Sequence, residues 1–512
     1  MAYHLLWGDL HNHNSVGLFH YSKGSLERTI EIARSHLDFF AFTGHAHWHD
    51  MPVMPNDGHL KWREGFEHHT RMWPKVKELI AAANRDGEFP AILGYEWHSA
   101  EFGDRCVLYP NDDGELCLPT HIANLTGHAK RTGAILCPHH LGYKSGLPGR
   151  GANWDAVDES VSPVIEIYSE HGGAERDRGP WPYVRHTNGP RTTFNALQHA
   201  LALGKRFGVV AGTDDHFGYP GAYGEGLAAV YATARTRAAL FEALRARRTY
   251  AVTGDRIELL FTVNGAMMGS VLPPTRERRI EIAVRGWDDL AMIELLKDNR
   301  VVHRHFPEDQ ADSCRPFAGP VKCRIEFGWG PWTALGIPRT ADWLMAARLE
   351  RAQFRSHMPC FQSGPMDEHR RNKVLEFSPN VCRWQSYTSR EGCFAETPTN
   401  AVVFEIMGEP DSTLTLELES PVRKAFRYAL GDLAKSSAIE FTATFPCESL
   451  IIHRLVPEAM YAAQCSLTDV GSGGDFYYVR VTQANGHMAW SSPIWVEGRP
   501  CSAAQATSLR TS

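Results

Sequence analysis

The first half of the chain repeats one pattern. A short apolar run ends, and within one to four residues a His, Asp or Glu follows. Leu5-Leu6-Trp7 leads into Gly8-Asp9-Leu10-His11-Asn12-His13, and Leu37-Asp38-Phe39-Phe40-Ala41-Phe42-Thr43 leads into Gly44-His45. Pro90-Ala91-Ile92-Leu93-Gly94-Tyr95 ends at Glu96, and Ala134-Ile135-Leu136-Cys137 runs into Pro138-His139-His140. Val164–Tyr168 precedes Ser169-Glu170-His171, and Phe207–Ala211 precedes Gly212-Thr213-Asp214-Asp215-His216. Helix-like segments separate these runs. Ser25 caps a stretch with Leu26, Ile30 and Ala33 on one face, and Trp73–Asn84 carries the stripe Val76, Leu79, Ile80 and Ala83. Segments near 120–131, 193–203 and 236–247 read the same way.

Alternating strands and helices predict an α/β unit with a mainly parallel sheet over residues 1–254. In a closed β/α barrel the C-terminal strand ends converge on one mouth, where active sites sit. His11, His13, His45, Glu96, His139, Asp214 and His216 would meet there, and His20 would join from the first loop. Residues two apart on an extended strand share a side, so His11 and His13 can offer two imidazoles to one metal ion. Any one of these residues alone is an ordinary capping or solvated side chain. The whole ordered set would need repeated coincidence.

After Gly254 the pattern turns β-like. Ile257–Val263, Ile280–Val284 and Met292–Leu296 read as strands, with Asn264-Gly265 a hairpin signal. Residues 305–400 read as an irregular insertion with a helical patch near 341–353, and 401–497 return to strands. The expectation for 255–498 is a β-rich, sandwich-like accessory domain, followed by a small polar tail over 499–512.

Composition narrows the function. Hydrophobic content of 43% and charged content of 22% describe a soluble globular chain. The formal net charge of −6 gives no basic footprint for nucleic acid. No run of apolar residues is long enough for a membrane span, and no signal peptide is evident. The 11 cysteines are scattered without a C-x-x-C pair and read as reduced thiols, so the cytoplasm is the expected compartment. The 26 histidines point instead to metal or acid–base chemistry. No Walker loop, dinucleotide glycine motif or Ser-His-Asp arrangement stands in a suitable place.

The ordered motifs Gly-Asp-Leu-His11-Asn-His13, Phe-Thr-Gly-His45, Tyr-Glu96-Trp, Cys-Pro-His139 and Thr-Asp214-Asp-His216 resemble those of the PHP (polymerase and histidinol phosphatase) superfamily. The longer phrases 37–43, 166–172 and 489–495 are similar to its DUF3604 branch. The resemblance implies a distorted (β/α)7 barrel of PHP type holding two or three divalent transition-metal ions (Zn, Mn or Fe). One ion would take His11, His13, Glu96 and Asp214. A second would share Glu96 and take His139, and a third would take His20, His45 and His216. Two departures stand out. Gly44 occupies the position of an Asp found in many relatives, and no histidine stands near Gly103-Asp104-Arg105-Cys106, where Asp104 is the candidate substitute ligand.

The expected activity is hydrolysis of a phosphoester by a metal-activated water. His171 would be a proton donor beside Asp214, and His47, His49, His140 and Asp215 neighbours of the ligands, with His98, two beyond Glu96, a second candidate to replace the missing histidine. A non-phosphate bond (amide, carboxyl or sulfate ester, or a lyase substrate) is the alternative, with a non-catalytic binding protein a third reading. The loops 140–160 and 171–193 carry Lys144, Arg150, Arg176, Arg178, Arg185 and Arg191. Of these, Lys144, Arg150, Arg176 and Arg178, with Glu166, are the candidates for holding a small anionic substrate. Neither nucleic acid nor membrane is an expected partner, and a homo-oligomer is left open.

Overall fold

The computed structural model describes residues 3–184, 188–307, 317, 319–337, 340–390 and 398–498. Arg185 and the tail from residue 499 lie outside the described residues. In chain order the first half carries β1 (His4–Asp9), α1 (Ser15–Leu18), α2 (Leu26–His36), β2 (Phe39–Ala41), β3 (His45–Trp48), α3 (Gly58–Ala83), β4 (Ala91–His98) and β5 (Arg105–Tyr109). Then follow α4 (Ile122–Thr132), β6 (Ile135–Pro138), β7 (Val164–Ser169), β8 (Gly172–Gly173), α5 (Leu197–Ala202), β9 (Gly208–Ala211), β10 (Leu227–Ala232), α6 (Arg237–Arg245) and β11 (Thr249–Val252).

The expected helices form for the expected reasons. The Ser25 side chain accepts from Arg28 N and caps α2, whose Leu26, Ile30 and Ala33 are buried. α3 starts well before the expected Trp73, because His69, Trp73, Val76, Ile80 and Ala83 continue one buried stripe back toward its N-terminus.

The strands do not confirm the distorted (β/α)7 barrel that the resemblance implies. β1, β2 and β4 are parallel neighbours, β3 runs parallel to β4, and β7 pairs parallel with β9. β5 lies antiparallel to β4, and β6 to β5. β10 is antiparallel to β1, and β11 to β10. The link between β4 and β5, residues 99–104, is too short for the crossover that a parallel pair needs. The fold is therefore mixed α/β. Its strands still enclose a shared interior. Leu6, Phe39, Ile92, Leu108, Ile135, Val164, Val210 and Val230 form one cluster, capped by Leu240, Phe241 and Leu244 of α6. Phe40, Phe42, Leu93, Tyr95 and Val107 face the other way, against α2, α3 and α4. Burial on both faces is why these strands read as unbroken apolar runs.

The sheet does not stop at Gly254. β11 pairs with Met488–Ser491, which pairs with Phe476–Gln483, so strands from near the end of the described chain extend the sheet of the first half. A separate four-stranded sheet is built from Glu258–Val263, Ala266–Met267, Glu277–Arg285 and Ala462–Val470.

The described residues of 305–400 are not an irregular insertion. Gly319–Gly328, Thr340–Cys360, Lys373–Phe377 and Val381–Ser389 join a nine-stranded sheet with Thr399–Ser420. The helical patch expected at 341–353 is part of a 21-residue strand. Its Ala, Leu, Met and Arg content favours helix. However, Ala341, Trp343, Met345, Ala347 and Leu349 are buried at every second position, and pairing on both sides overrides the local preference. This sheet docks on the first half, where Ile32 of α2, Tyr219 and Ala222 enter its core.

Candidate metal centre

The ends of β1 and β9 are held together first. His13 N donates to Asp215 O and Asp214 N to His11 O, each at 2.8 Å. Asp9, which is fully buried, accepts from His11 N at 3.0 Å, Thr213 Oγ1 at 2.6 Å and Gly221 N at 3.0 Å. Asn12 ties the same turn to β2 by donating to Ala41 O at 2.8 Å and Thr43 Oγ1 at 2.9 Å. Gly212 is required here, because a Cβ would lie 2.6 Å from His11 Cβ and 2.7 Å from Glu166 Oε2.

This framework brings three ligand-type atoms to one point. His11 Nε2 and His13 Nε2 are 3.2 Å apart, and Asp214 Oδ1 lies 3.3 Å and 2.9 Å from them. His11 Nδ1 faces Glu166 Oε2 at 3.0 Å. With a proton on Nδ1, the Nε2 of a neutral ring carries a lone pair. Metal–ligand bonds of about 2.0–2.2 Å place neighbouring ligand atoms roughly 3–3.5 Å apart, so the spacing suits one ion.

Glu96 sits opposite. The parallel pairing of β3 and β4 sets His45 beside it, and β5 sets Cys106 on its other side. Its Oε2 lies 2.5 Å from His45 Nδ1 and 3.2 Å from His98 Nε2, and its Oε1 lies 2.6 Å from His139 Nε2. Both oxygens are buried against these ring nitrogens. A buried carboxylate crowded by imidazoles in this way fits a shared cation. His45 Nε2 in turn lies 3.2 Å from His216 Nε2.

A third side is formed by Asp104, which faces His98 Nδ1 at 3.2 Å, His140 Nδ1 at 3.4 Å and Arg150 Nη1 at 2.9 Å. His140 Nε2 and His171 Nε2 both reach Asp214 Oδ2, at 2.7 Å and 3.0 Å. Three non-glycine residues here hold a positive φ: His140 (53°), Arg150 (61°) and Asp214 (56°). Such strain persists only where surrounding contacts over-determine it.

The electrostatics follow from burial and pairing. Burial alone would raise Glu96, but His98, His45 and His139 hold it well below the carboxylate range. Asp214 is lowered in the same way against its burial, mainly by His11 and His171. Burial pushes His45 and His139 down to about 3, whereas neighbouring carboxylates, against burial, lift His140 and His216 to about 9 and hold His11 well above its ordinary value. Burial lifts Glu166 to about 7 against the pull of His11.

Of the residues expected from the sequence, His11, His13, His45, Glu96, Asp104, His139, Asp214, His216 and His171 come together. His20 does not: its Nε2 faces Glu64 Oε2 at 2.7 Å near the surface. Arg150 lines the cavity, but its charge is committed to Asp104 and it stacks over Trp48 at 4.3 Å. Glu166 lies behind His11 rather than on the cavity wall. Lys144 and Arg178 are exposed, Arg176 is half-buried, and none of the three lines the cavity. His98 enters the cluster beside Glu96, and His140 enters it more deeply than expected of a neighbour. An aspartate has no room at Gly44, where a Cβ would already sit 2.7 Å from the Phe42 ring.

The cluster opens into a cavity of about 250 Å³. His45, His98, His140, Arg150, Glu170, His171, Asp214 and His216 are its polar lining, and Tyr21, Trp62 and Phe217 its aromatic lining.

Residues 211–270, which carry Asp214 and His216, match the family described as a protein of unknown function (DUF3604). The chain is DUF3604-like. Uncharacterized proteins of Chlamydia are similar to this DUF3604-like chain. One from Chlamydia trachomatis is 28% identical over 62% of this chain and 52% of its own length, and one from Chlamydia pneumoniae is 34% identical over 46% and 41%. The chain thus spans about half the length of the curated relatives it matches. A Bacteroides vulgatus crystal structure, of a two-domain protein containing a predicted PHP-like metal-dependent phosphoesterase, aligns with a TM-score of 0.35. The identity is 17%, over 58% of this chain and 79% of that one. No helix among the described residues is long and apolar enough to cross a membrane.

Proposed function

We propose that the chain is a metal-dependent hydrolase, acting on a small anionic phosphoester with two or three divalent ions such as Zn, Mn or Fe. One observation carries the reading: His11 Nε2, His13 Nε2 and Asp214 Oδ1 converge within 2.9–3.3 Å of one another, beside a buried Glu96 that faces ring nitrogens of His45, His98 and His139. His11, His13 and Asp214 would hold one ion, with Glu96 shared. His139 with Asp104 or His140 would hold a second. His45 Nε2 and His216 would hold a third, while His98 meets His45 through the other ring nitrogen, Nδ1, and groups with Glu96. Mixed imidazole and carboxylate donors suit these metals.

When bound, such ions lower the pKa of water and neutralise charge on phosphoryl oxygens. The chain's own residues do the rest. Glu166 fixes the His11 ring and keeps its proton on Nδ1. Arg150 keeps Asp104 ionised. His171, on the cavity wall with Nε2 at Asp214 Oδ2, is placed to hold a proton for a departing oxygen.

The test is elemental analysis of protein purified without added metal, joined to a screen of phosphate mono- and diesters beside carboxyl and sulfate esters. Two or three equivalents of Zn, Mn or Fe, with phosphoester turnover lost in His11→Ala, are expected. Bound metal with turnover of a non-phosphate ester alone would redirect the assignment. No metal, and no turnover after reconstitution, would end the catalytic reading.

A further inference from the structure

The cavity above the cluster is chemically mixed. Its polar lining carries ligand-type residues. The rest of its lining is aromatic and comes from three separated stretches: Tyr21 after α1, Trp62 on α3, and Phe217 after β9. Tyr21 is 46% exposed, and Trp62 and Phe217 are half-buried. Leaving large rings part-exposed at a cavity mouth costs hydrophobic burial, which a bound apolar group would recover.

The rings are also arranged for stacking. The Tyr21 and Trp62 rings lie 6.3 Å apart at an interplanar angle of 35°. Trp62 is braced from behind and below. It meets Trp48 edge-on at 5.5 Å, His45 at 5.2 Å and His98 at 5.7 Å, with Phe66 at 5.8 Å. It is thus a fixed platform directly beside two members of the cluster. The nearest cation, Arg150, is stacked on Trp48 and paired with Asp104, so it adds no second charge site for a long polyanionic substrate. The volume of about 250 Å³ lies below the range of pockets that enclose drug-sized ligands. It suits one ring joined to one reacting ester group.

We infer that the enzyme's substrate is a small monoester whose departing group is a single flat ring, an aryl or similar planar heterocyclic ester, held against Tyr21 and Trp62 while its ester group meets the metal cluster. This rests on the hydrolase reading above and adds the class of its leaving group. Hydrolysis takes one water: its oxygen stays on the acid fragment, and the ring leaves as its hydroxyl compound.

The experiment compares phenyl with ethyl esters in the phosphate, sulfate and acetate series, for the metal-loaded wild type and for Tyr21→Ala, Trp62→Leu and Trp62→Phe. Calorimetric titration with phenylphosphonate and with methylphosphonate reads ring binding without turnover. An aromatic pair contributes enough for about a 2- to 10-fold effect. The expected result is a phenyl preference in whichever series is turned over. KM for the phenyl ester should rise about 2- to 10-fold in Tyr21→Ala and Trp62→Leu. In Tyr21→Ala the kcat and the ethyl ester constants should be unchanged, and Trp62→Phe should retain most of the preference. Phenylphosphonate should bind more tightly than methylphosphonate in the wild type and lose that margin in Tyr21→Ala. Equal constants for phenyl and ethyl esters, or equal binding of the two phosphonates, would overturn the inference. Turnover confined to sulfates or acetates with the phenyl preference intact would overturn the phosphoester assignment and leave the ring site standing.

Discussion

Asp214 touches four imidazoles, with His140 at 2.7 Å, His13 at 2.9 Å, His171 at 3.0 Å and His11 at 3.3 Å. Asp214→Asn keeps the shape and removes the charge those rings answer. At least one metal equivalent should be lost, with activity down by about 100-fold or more; full metal retention on elemental analysis would remove Asp214 from the ligand set. A second residue reports on acid sensitivity. His69 is fully buried, donates from Nδ1 to His45 O at 2.8 Å, and is held down at about 4 by its burial. Its ordinary value is 6.5, so between 6.5 and 4 the unfolded chain binds a proton that the folded chain refuses. The stability present above pH 6.5 is therefore lost as pH falls toward 4, up to about 3 kcal/mol from this ring. Urea unfolding of metal-free protein should show that fall, and His69→Leu should lessen its slope by up to one proton; an unchanged slope would refute the assignment. The ligands His11 and His13 were legible because strand period and motif agreed. The same period-two argument applied to Glu96 and His98 would have favoured His98. Trp62 could not be found that way, since its role depends on where α3 crosses the mouth.

At the scale of elements, the loop carrying His171 is anchored by a buried network. Arg480 gives Nη1 to both oxygens of Glu175, at 2.7 Å and 2.9 Å, and Nε to Glu294 at 2.7 Å. Tyr478 and Trp490 also donate to Glu175, at 2.8 Å and 3.0 Å. The carboxylates are almost fully buried, and Glu294 keeps Arg304 at 3.0 Å, so Arg480→Met would leave Glu175 without its cation. The expected cost is about 3–5 kcal/mol, read as a lower urea midpoint. Activity measured well below that midpoint should also fall, because Glu175 sits four residues beyond His171. A change under about 1 kcal/mol would mean the network is replaceable. None of this was visible in the sequence, where Glu175 and Arg480 stand 305 residues apart. The strand at 340–360 was misread for a related reason: its alternation was present, but helix-favouring composition masked it until neighbouring strands were known.

The chain as a whole does not divide at Gly254. The change of pattern there is real, since strands without helices follow, and that much the sequence made legible. What it hid was the return of residues 476–496 to the first sheet. Met488–Ser491 covers the open edge of β11, with Tyr250 opposite Ser491 and Val252 opposite Ala489. Ser492 Oγ accepts from Val209 N at 2.9 Å and donates to Thr249 O at 2.6 Å, stitching β9 to β11 just below Asp214. A chain ending at residue 254 would expose that edge, strip Val209 N of its acceptor, and bare the faces of Tyr168 and Ala251 that pack with Trp490 and Met488. Exposed strand edges invite aggregation. Residues 1–254 expressed alone should therefore aggregate or fail to bind metal, and co-expression with residues 255–498 should restore a metal-binding complex, followed by size exclusion with elemental analysis. A monodisperse 1–254 fragment holding the full metal complement would show instead that the first half closes its own sheet, and that the later strands only lie against it.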